Sequence, residues 1–154
     1  RAAIHGYDPS SESIRLASQR VATAKLSTDW HDIEQRAFDV VFVANVFHHI
    51  PRQELPTWLE RCRKILAERG KIFIFEPTPF SPVTRYVFER CPFDVDAKMI
   101  PRQELIDLGR GAGLEVASTR YTLFFPKPLK VFRPLERWMG WLPLGAQYCV
   151  EFCV

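Results

Sequence analysis

Polar side chains end four of the apolar segments that the sequence predicts as strands. Asp8 ends the first segment, Asp29 and Trp30 follow the second, residues 45–49 follow the third, and Glu76 ends the fourth. In open α/β sheets, ligands bind beyond the carboxyl ends of the strands. These positions are therefore the candidates for binding and chemistry.

Asp8 and the Asp29–Trp30 pair have side chains that suit a nucleoside. A carboxylate after a strand can accept hydrogen bonds from both ribose hydroxyls, and a second carboxylate can lie near an adenine amino group. An indole ring can cover the face of the base. Each residue also has a simpler interpretation, because Asp8 lies where it can cap a helix and Asp29 suits a turn beside a core tryptophan.

The adjacent histidines His48 and His49 are the candidate catalytic residues. Imidazole titrates near neutral pH and can take a proton from a substrate. We expect the two rings to point in different directions, so we expect no shared metal, and the chain has no HxxxH or HExxH pattern. The histidines can equally cap the next helix or fill the edge of the core.

Alternating strands and helices carry these residues. The almost unbroken apolar run 38–47 suits a central parallel strand covered on both faces. Gly70 is expected to stop the helix before the next strand. The alternation predicts an α/β sheet with right-handed crossovers. In chain order we expect strand 2–8, helix 11–20, strand 21–26, strand 38–47, helix 56–67, strand 71–77, helix 83–90, helix 102–109, strand 114–125 and strand 145–154.

Composition limits the class of protein. The 154 residues, 47% of them hydrophobic, fit one domain, with insertions expected at about 78–99 and 126–144. A net charge of +3 is too small to favour nucleic acid as the main partner. The four cysteines form no CxxC pair, so no zinc or redox motif is expected. A reducing, cytoplasmic setting is the default expectation. No apolar run approaches the roughly 20 residues of a spanning helix.

The order of these segments resembles the class I S-adenosylmethionine-dependent methyltransferases, from that family's second strand to its C-terminus. Residues 4–10 (Ile-His-Gly-Tyr-Asp-Pro-Ser) are similar to the second-strand motif, and residues 38–50 to the fourth strand and its loop. Residues 64–71 resemble the passage into the fifth strand, and residues 104–116 the helix and turn before the sixth. The resemblance implies a Rossmann-like, mostly parallel sheet with helices on both faces and a C-terminal antiparallel hairpin.

One departure from the family concerns its first strand, which carries a Gly-x-Gly-x-Gly loop for the cofactor. Gly109, Gly111 and Gly113 have that spacing, but they follow a helix near the C-terminus, and only seven residues precede Asp8. We therefore expect a C-terminal portion of a methyltransferase that lacks the first central strand. Such a portion is expected not to bind the cofactor tightly by itself.

The resemblance implies methyl transfer from S-adenosylmethionine to a small-molecule or a lipid- or saccharide-linked acceptor. His48 or His49 would be the base. Two alternatives stay open: a nucleotide-linked oxidoreductase of Rossmann type, and a non-catalytic remnant that acts as a binding module. The cofactor-binding residues that the resemblance implies are Asp8, Pro9, Asp29, Trp30, Asn45 and Phe47.

Residues 126–141 combine basic and aromatic side chains. Four basic residues in this segment oppose the single acidic residue Glu136, and phenylalanine and tryptophan are interleaved with them. Such a segment can contact a membrane surface or admit an acidic, lipid-linked substrate. It can also be a proline-rich connection whose rings close the core.

Overall fold

The computed structural model describes residues 3–154, which form two compact units. The first unit extends to Phe38, and the second comprises Asp39–Val154. Among residues 3–154, no helix is long and apolar enough to cross a membrane.

The first unit contains a two-stranded parallel sheet and two helices. Its elements are β1 (His5–Tyr7), α1 (Ser11–Arg20), β2 (Lys25–Ser27) and α2 (His31–Glu34), and β1 pairs with β2. The predicted bounds of α1 are confirmed, because the Ser10 hydroxyl accepts from the Ser13 amide and caps the helix. The second predicted strand starts later than expected, since residues 21–24 form a turn. Ala2, placed in the first predicted strand, lies outside the described residues.

The second unit has a four-stranded sheet in the order β3-β4-β6-β5. β6 is antiparallel to both β4 and β5, which confirms the antiparallel C-terminal strands of the predicted α/β fold. The elements are β3 (Phe38–Ala44), α3 (Leu55–Lys64), β4 (Leu66–Pro77), α4 (Pro82–Phe88), α5 (Arg102–Gly111), β5 (Glu115–Thr122), α6 (Glu136–Met139) and β6 (Gln147–Cys153).

The core of the second unit lies between this sheet and the helices α3 and α5. Leu59 of α3, Leu105 of α5 and Ile72 of β4 are completely buried. Helix α5 approaches β6 so closely that a Cβ on Gly109 would lie 2.4 Å from the ring of Phe152. Glycine is therefore required at this contact.

Two predictions about the strands are wrong. The strand starting at Phe38 is an edge strand of the four-stranded sheet, not a central strand covered on both faces, and Val40 and Phe42 are 56% and 66% exposed. Among residues 3–154 only β4 adjoins this strand within that sheet, and two of its six apolar side chains are exposed. Gly70 does not stop α3, because the helix ends at Lys64 and Gly70 lies inside the long strand β4.

Candidate functional site

Glu76 is a fully buried carboxylate at the end of β4. It lies two residues beyond Ile74 on a strand whose alternate residues are buried, so the sequence places its side chain on the apolar face. Its Oε1 accepts hydrogen bonds from the amides of Val46 (3.1 Å) and Phe47 (2.8 Å). A buried carboxylate needs such donors, and here they come from the turn that follows β3.

The second oxygen of Glu76 holds His48. The distance from Glu76 Oε2 to His48 Nδ1 is 2.6 Å, and the His48 side chain is only 3% exposed. Because an ionised carboxylate only accepts, Nδ1 carries the proton. Nε2 lies on the opposite edge of the ring and is not used by this contact. Phe88 of α4 packs edge-on against this ring, with ring centroids 5.6 Å apart.

Asp94 lies near the Nε2 edge of the His48 ring and near the Nε2 of His49. Asp94 Oδ1 lies 3.6 Å from His48 Nε2 and 3.5 Å from His49 Nε2. The rings of the two histidines are 4.1 Å apart, so the expectation that they diverge is wrong. Both residues belong to the 3₁₀ turn Phe47–His49, and both rings lie against the same oxygen of Asp94. His49 is 44% exposed and is the accessible member of this cluster.

Other strands fix the turn from outside. Asn45 has a left-handed backbone with φ of 55°, its amide donates to the Phe75 carbonyl, and its side-chain oxygen accepts from Gln147 on β6. The amide of Lys98 donates to the His48 carbonyl at 2.9 Å. Phe47, predicted to contact a cofactor, has its ring in the hydrophobic core at 2% exposure.

Asp8 follows β1 in the first unit and is partly buried. One of its carboxylate oxygens accepts from the Ser10 amide at 2.8 Å. Asp8 therefore shapes the turn before α1, while the cap of that helix is Ser10 itself. Pro9, between them, is exposed.

Asp29 and Trp30 follow β2 in the same unit. Asp29 accepts from the His31 amide at 2.9 Å and its own amide donates to the Ser27 hydroxyl, as in a turn. The Trp30 ring meets Tyr7, the residue before Asp8, edge to face at 5.3 Å. The predicted nucleoside-binding residues of this unit thus lie at the ends of two paired parallel strands.

The sequence does not indicate Asp94, and it marks Glu76 only as one of the polar residues at strand ends. Glu76 has a sequence signal, because it continues the buried alternation of Ile72 and Ile74. Asp94 has none, since its segment carries no periodic pattern and meets His48 only through long-range contacts.

Residues 1–72 match the sequence profile of a family described as a methyltransferase domain. No curated protein sequence matches the chain. Solved structures show much wider similarity, which covers nearly the whole chain at low sequence identity.

A SAM-dependent methyltransferase from Archaeoglobus fulgidus matches with a TM-score of 0.73 and 14% identity, over 96% of this chain and 74% of that protein. A SAM-dependent methyltransferase from Thermotoga maritima matches with a TM-score of 0.71 and 18% identity, over 97% and 72%. An O-methyltransferase from neocarzinostatin biosynthesis, in complex with S-adenosyl-L-homocysteine and 1,4-dihydroxy-2-naphthoic acid, matches with a TM-score of 0.65 and 14% identity, over 99% and 42%. The chain therefore has the fold of the class I S-adenosylmethionine-dependent methyltransferases.

Proposed function

We propose that the chain takes part in methyl transfer from S-adenosylmethionine to a small-molecule or a lipid- or saccharide-linked acceptor. The observation that carries the proposal is the methyltransferase fold over 96% of the chain, with the methyltransferase profile over residues 1–72. The O-methyltransferase of the same fold contains S-adenosyl-L-homocysteine, the demethylated cofactor. The cofactor supplies the reactive methyl group, and the protein supplies position and electrostatics.

Asp8 is our candidate for the ribose of the cofactor. One of its oxygens is engaged by the Ser10 amide, which holds the carboxylate in a fixed orientation. A hydrogen bond to a charged group contributes about 1.5–3 kcal/mol. Replacing Asp8 by alanine should therefore weaken nucleoside binding roughly tenfold to hundredfold.

His49 is our candidate for the proton acceptor. His48 is buried and bonded to Glu76, so it is suited to positioning, whereas the half-exposed Nε2 of His49 can reach an acceptor. Both histidines were candidates from the sequence. A base is needed only where the acceptor atom carries a proton that must leave.

Saturation-transfer NMR with S-adenosylhomocysteine tests the proposal, because the method detects weak binding. We expect saturation of the adenine protons in the wild type and in the surface control E12Q, and a loss of saturation in D8A. Saturation of the NADH protons, without saturation of the S-adenosylhomocysteine protons, would favour the nucleotide-linked oxidoreductase of Rossmann type. Absence of both signals would refute cofactor binding by this chain and favour the binding module.

Residues 126–141 support an acidic or lipid-linked acceptor presented at a membrane surface. The segment keeps Val131, Trp138 and Trp141 at 74%, 60% and 76% exposure. Lys127 and Lys130 are exposed beside them. Exposed rings and cations on one short segment are the pattern of an interfacial anchor.

Flotation with liposomes tests this contact. We expect binding to vesicles that contain phosphatidylserine and weaker binding, by roughly tenfold or more, in the double variant K127E/K130E. The double variant K64E/R110E makes the same charge change on exposed residues of α3 and α5 and should bind like the wild type. Equal flotation of both double variants would contradict a specific contact through residues 126–141.

A further inference from the structure

His48, His49 and Asp94 bring three ligand atoms together at one point in the second unit. One ligand atom from each residue lies within 4.8 Å of the other two. Two imidazoles and a carboxylate are a ligand set that zinc uses where a fourth position stays open. We propose that this cluster binds a zinc ion through His48 Nε2, His49 Nε2 and a carboxylate oxygen of Asp94.

The two histidine-to-aspartate distances fit a tetrahedral ion better than direct hydrogen bonds, and the two imidazoles lie within 4.8 Å of each other. Asp94 Oδ1 lies 3.5 Å from His49 Nε2 and 3.6 Å from His48 Nε2. Hydrogen bonds between nitrogen and oxygen are usually about 2.7–3.2 Å long. Two ligands at about 2.0–2.2 Å from a tetrahedral zinc ion are separated by about 3.3–3.6 Å. In an octahedral magnesium site, neighbouring ligands stand only about 3.0 Å apart.

Glu76 gives this cluster a feature that a chance group of polar residues lacks. Its Oε2 accepts from Nδ1 of His48 at 2.6 Å, which fixes the ring with its Nε2 toward Asp94. Without a metal ion, this nitrogen faces the Asp94 oxygen at 3.6 Å, which is too long for a good hydrogen bond. A carboxylate–histidine–metal arrangement is the usual way in which proteins orient a metal-bound histidine.

The accessibility of the three ligands also suits an ion that enters from solvent. His48 and Asp94 are 3% and 15% exposed, whereas His49 is 44% exposed and can move to close the site. Three protein ligands leave a fourth position for water or for an oxygen of a small molecule. Because zinc would occupy Nε2 of His49, the role of His49 as proton acceptor belongs to the metal-free protein, and zinc should block it.

Cobalt(II) is the probe for this site, because tetrahedral cobalt absorbs visible light strongly and octahedral cobalt absorbs weakly. We expect the chelator-treated protein to bind one equivalent of cobalt with an intense visible band that zinc displaces. The band should be lost in H49A and in D94N, two changes at residues that are outside the hydrophobic core. It should persist in H31A, which removes an exposed histidine from α2. The positioning variant E76Q should weaken cobalt binding roughly tenfold to hundredfold.

Several outcomes would overturn the assignment. The wild type could take up no cobalt, or could show only the weak spectrum of an octahedral ion. The intense band could survive in both H49A and D94N. A sulfur-to-cobalt charge-transfer band would place the ion on cysteines. Loss of the band in H31A would overturn the assignment as well. The readout does not depend on the cofactor, so failure here and failure of the proposed methyl transfer are separate results.

Discussion

Replacement of Glu76 by alanine removes the acceptor of three hydrogen bonds in the interior of the second unit. The amides of Val46 and Phe47 lose Oε1, and His48 loses the partner of its Nδ1. Since Glu76 is 0% exposed and His48 4%, water cannot replace the carboxylate without opening the core. The Phe47 amide would remain buried without a partner, and the partly buried Val46 amide would lose its acceptor.

The expected cost follows from these contacts. A buried donor that loses its acceptor costs about 1–3 kcal/mol. E76A takes the acceptor from three donors, so we expect a cost of about 3 kcal/mol or more. E76Q keeps an oxygen for the two amides, but its amide group meets the protonated Nδ1 of His48. The ring must then move its proton to Nε2, so we expect a smaller cost of about 1–2 kcal/mol.

Urea denaturation followed by circular dichroism measures both costs, and ¹⁵N NMR of the His48 ring reports which nitrogen carries the proton. The control E60A, on the exposed face of α3, should change the free energy of unfolding by less than about 0.5 kcal/mol. A cost below about 1 kcal/mol for E76A, or equal costs for E76A and E76Q, would refute the reasoning. If E76A does not fold, E76Q still tests the reasoning through its free energy of unfolding and through the position of the proton on the His48 ring.

Three further predictions concern the frame around the site. G145A should lower the free energy of unfolding by about 1–3 kcal/mol in urea denaturation, because the added Cβ would lie 2.4 Å from a backbone oxygen of β5. In the control G111A the added Cβ meets nothing within 4 Å, so this change should be neutral or stabilising. The Lys71 ammonium, with a smaller contribution from a serine hydroxyl, lowers the pKa of Glu151 below its ordinary 4.5. The stability that Glu151 contributes is therefore complete above the ordinary pKa of 4.5 and is lost as the pH falls through the lowered pKa of the folded protein. E151Q should remove this dependence, so its free energy of unfolding should fall less steeply in acid. Burial raises the pKa of the Cys62 thiol to about 12, so this cysteine should react with a thiol reagent only on unfolding, as mass spectrometry would show.

The predictable parts of the fold are those set by local signals. The Ser10 cap fixed the start of α1, and the alternation of Tyr148, Val150 and Phe152 marked β6 as a strand with one buried face. The prediction for Gly70 is wrong because a glycine after an apolar helix stripe is a common stop, whereas here Gly70 lies inside β4. Local chemistry cannot reveal which of two roles such a glycine has.

The candidate site was predictable only where it adjoins a strand end. Residues 45–49 were found because they follow the clearest apolar run. Asp94 was not predictable, because the path of residues 78–99 brings it to His48. That path depends on long-range contacts such as the hydrogen bond from the Lys98 amide to the His48 carbonyl. A ligand set formed by long-range contacts leaves no spacing pattern in the sequence.

The rigidity of the His48–His49 turn comes from elements other than the strand that precedes it. β3 lies at the sheet edge with Val40 and Phe42 exposed, so it is a weak support by itself. The turn is held instead by Glu76 at the end of β4 and by Gln147 at the start of β6. These two strands pair with each other through the buried centre of the sheet. The geometry of the histidine cluster therefore depends on the β4–β6 pair, and substitutions on the exposed side of β3 should leave it intact.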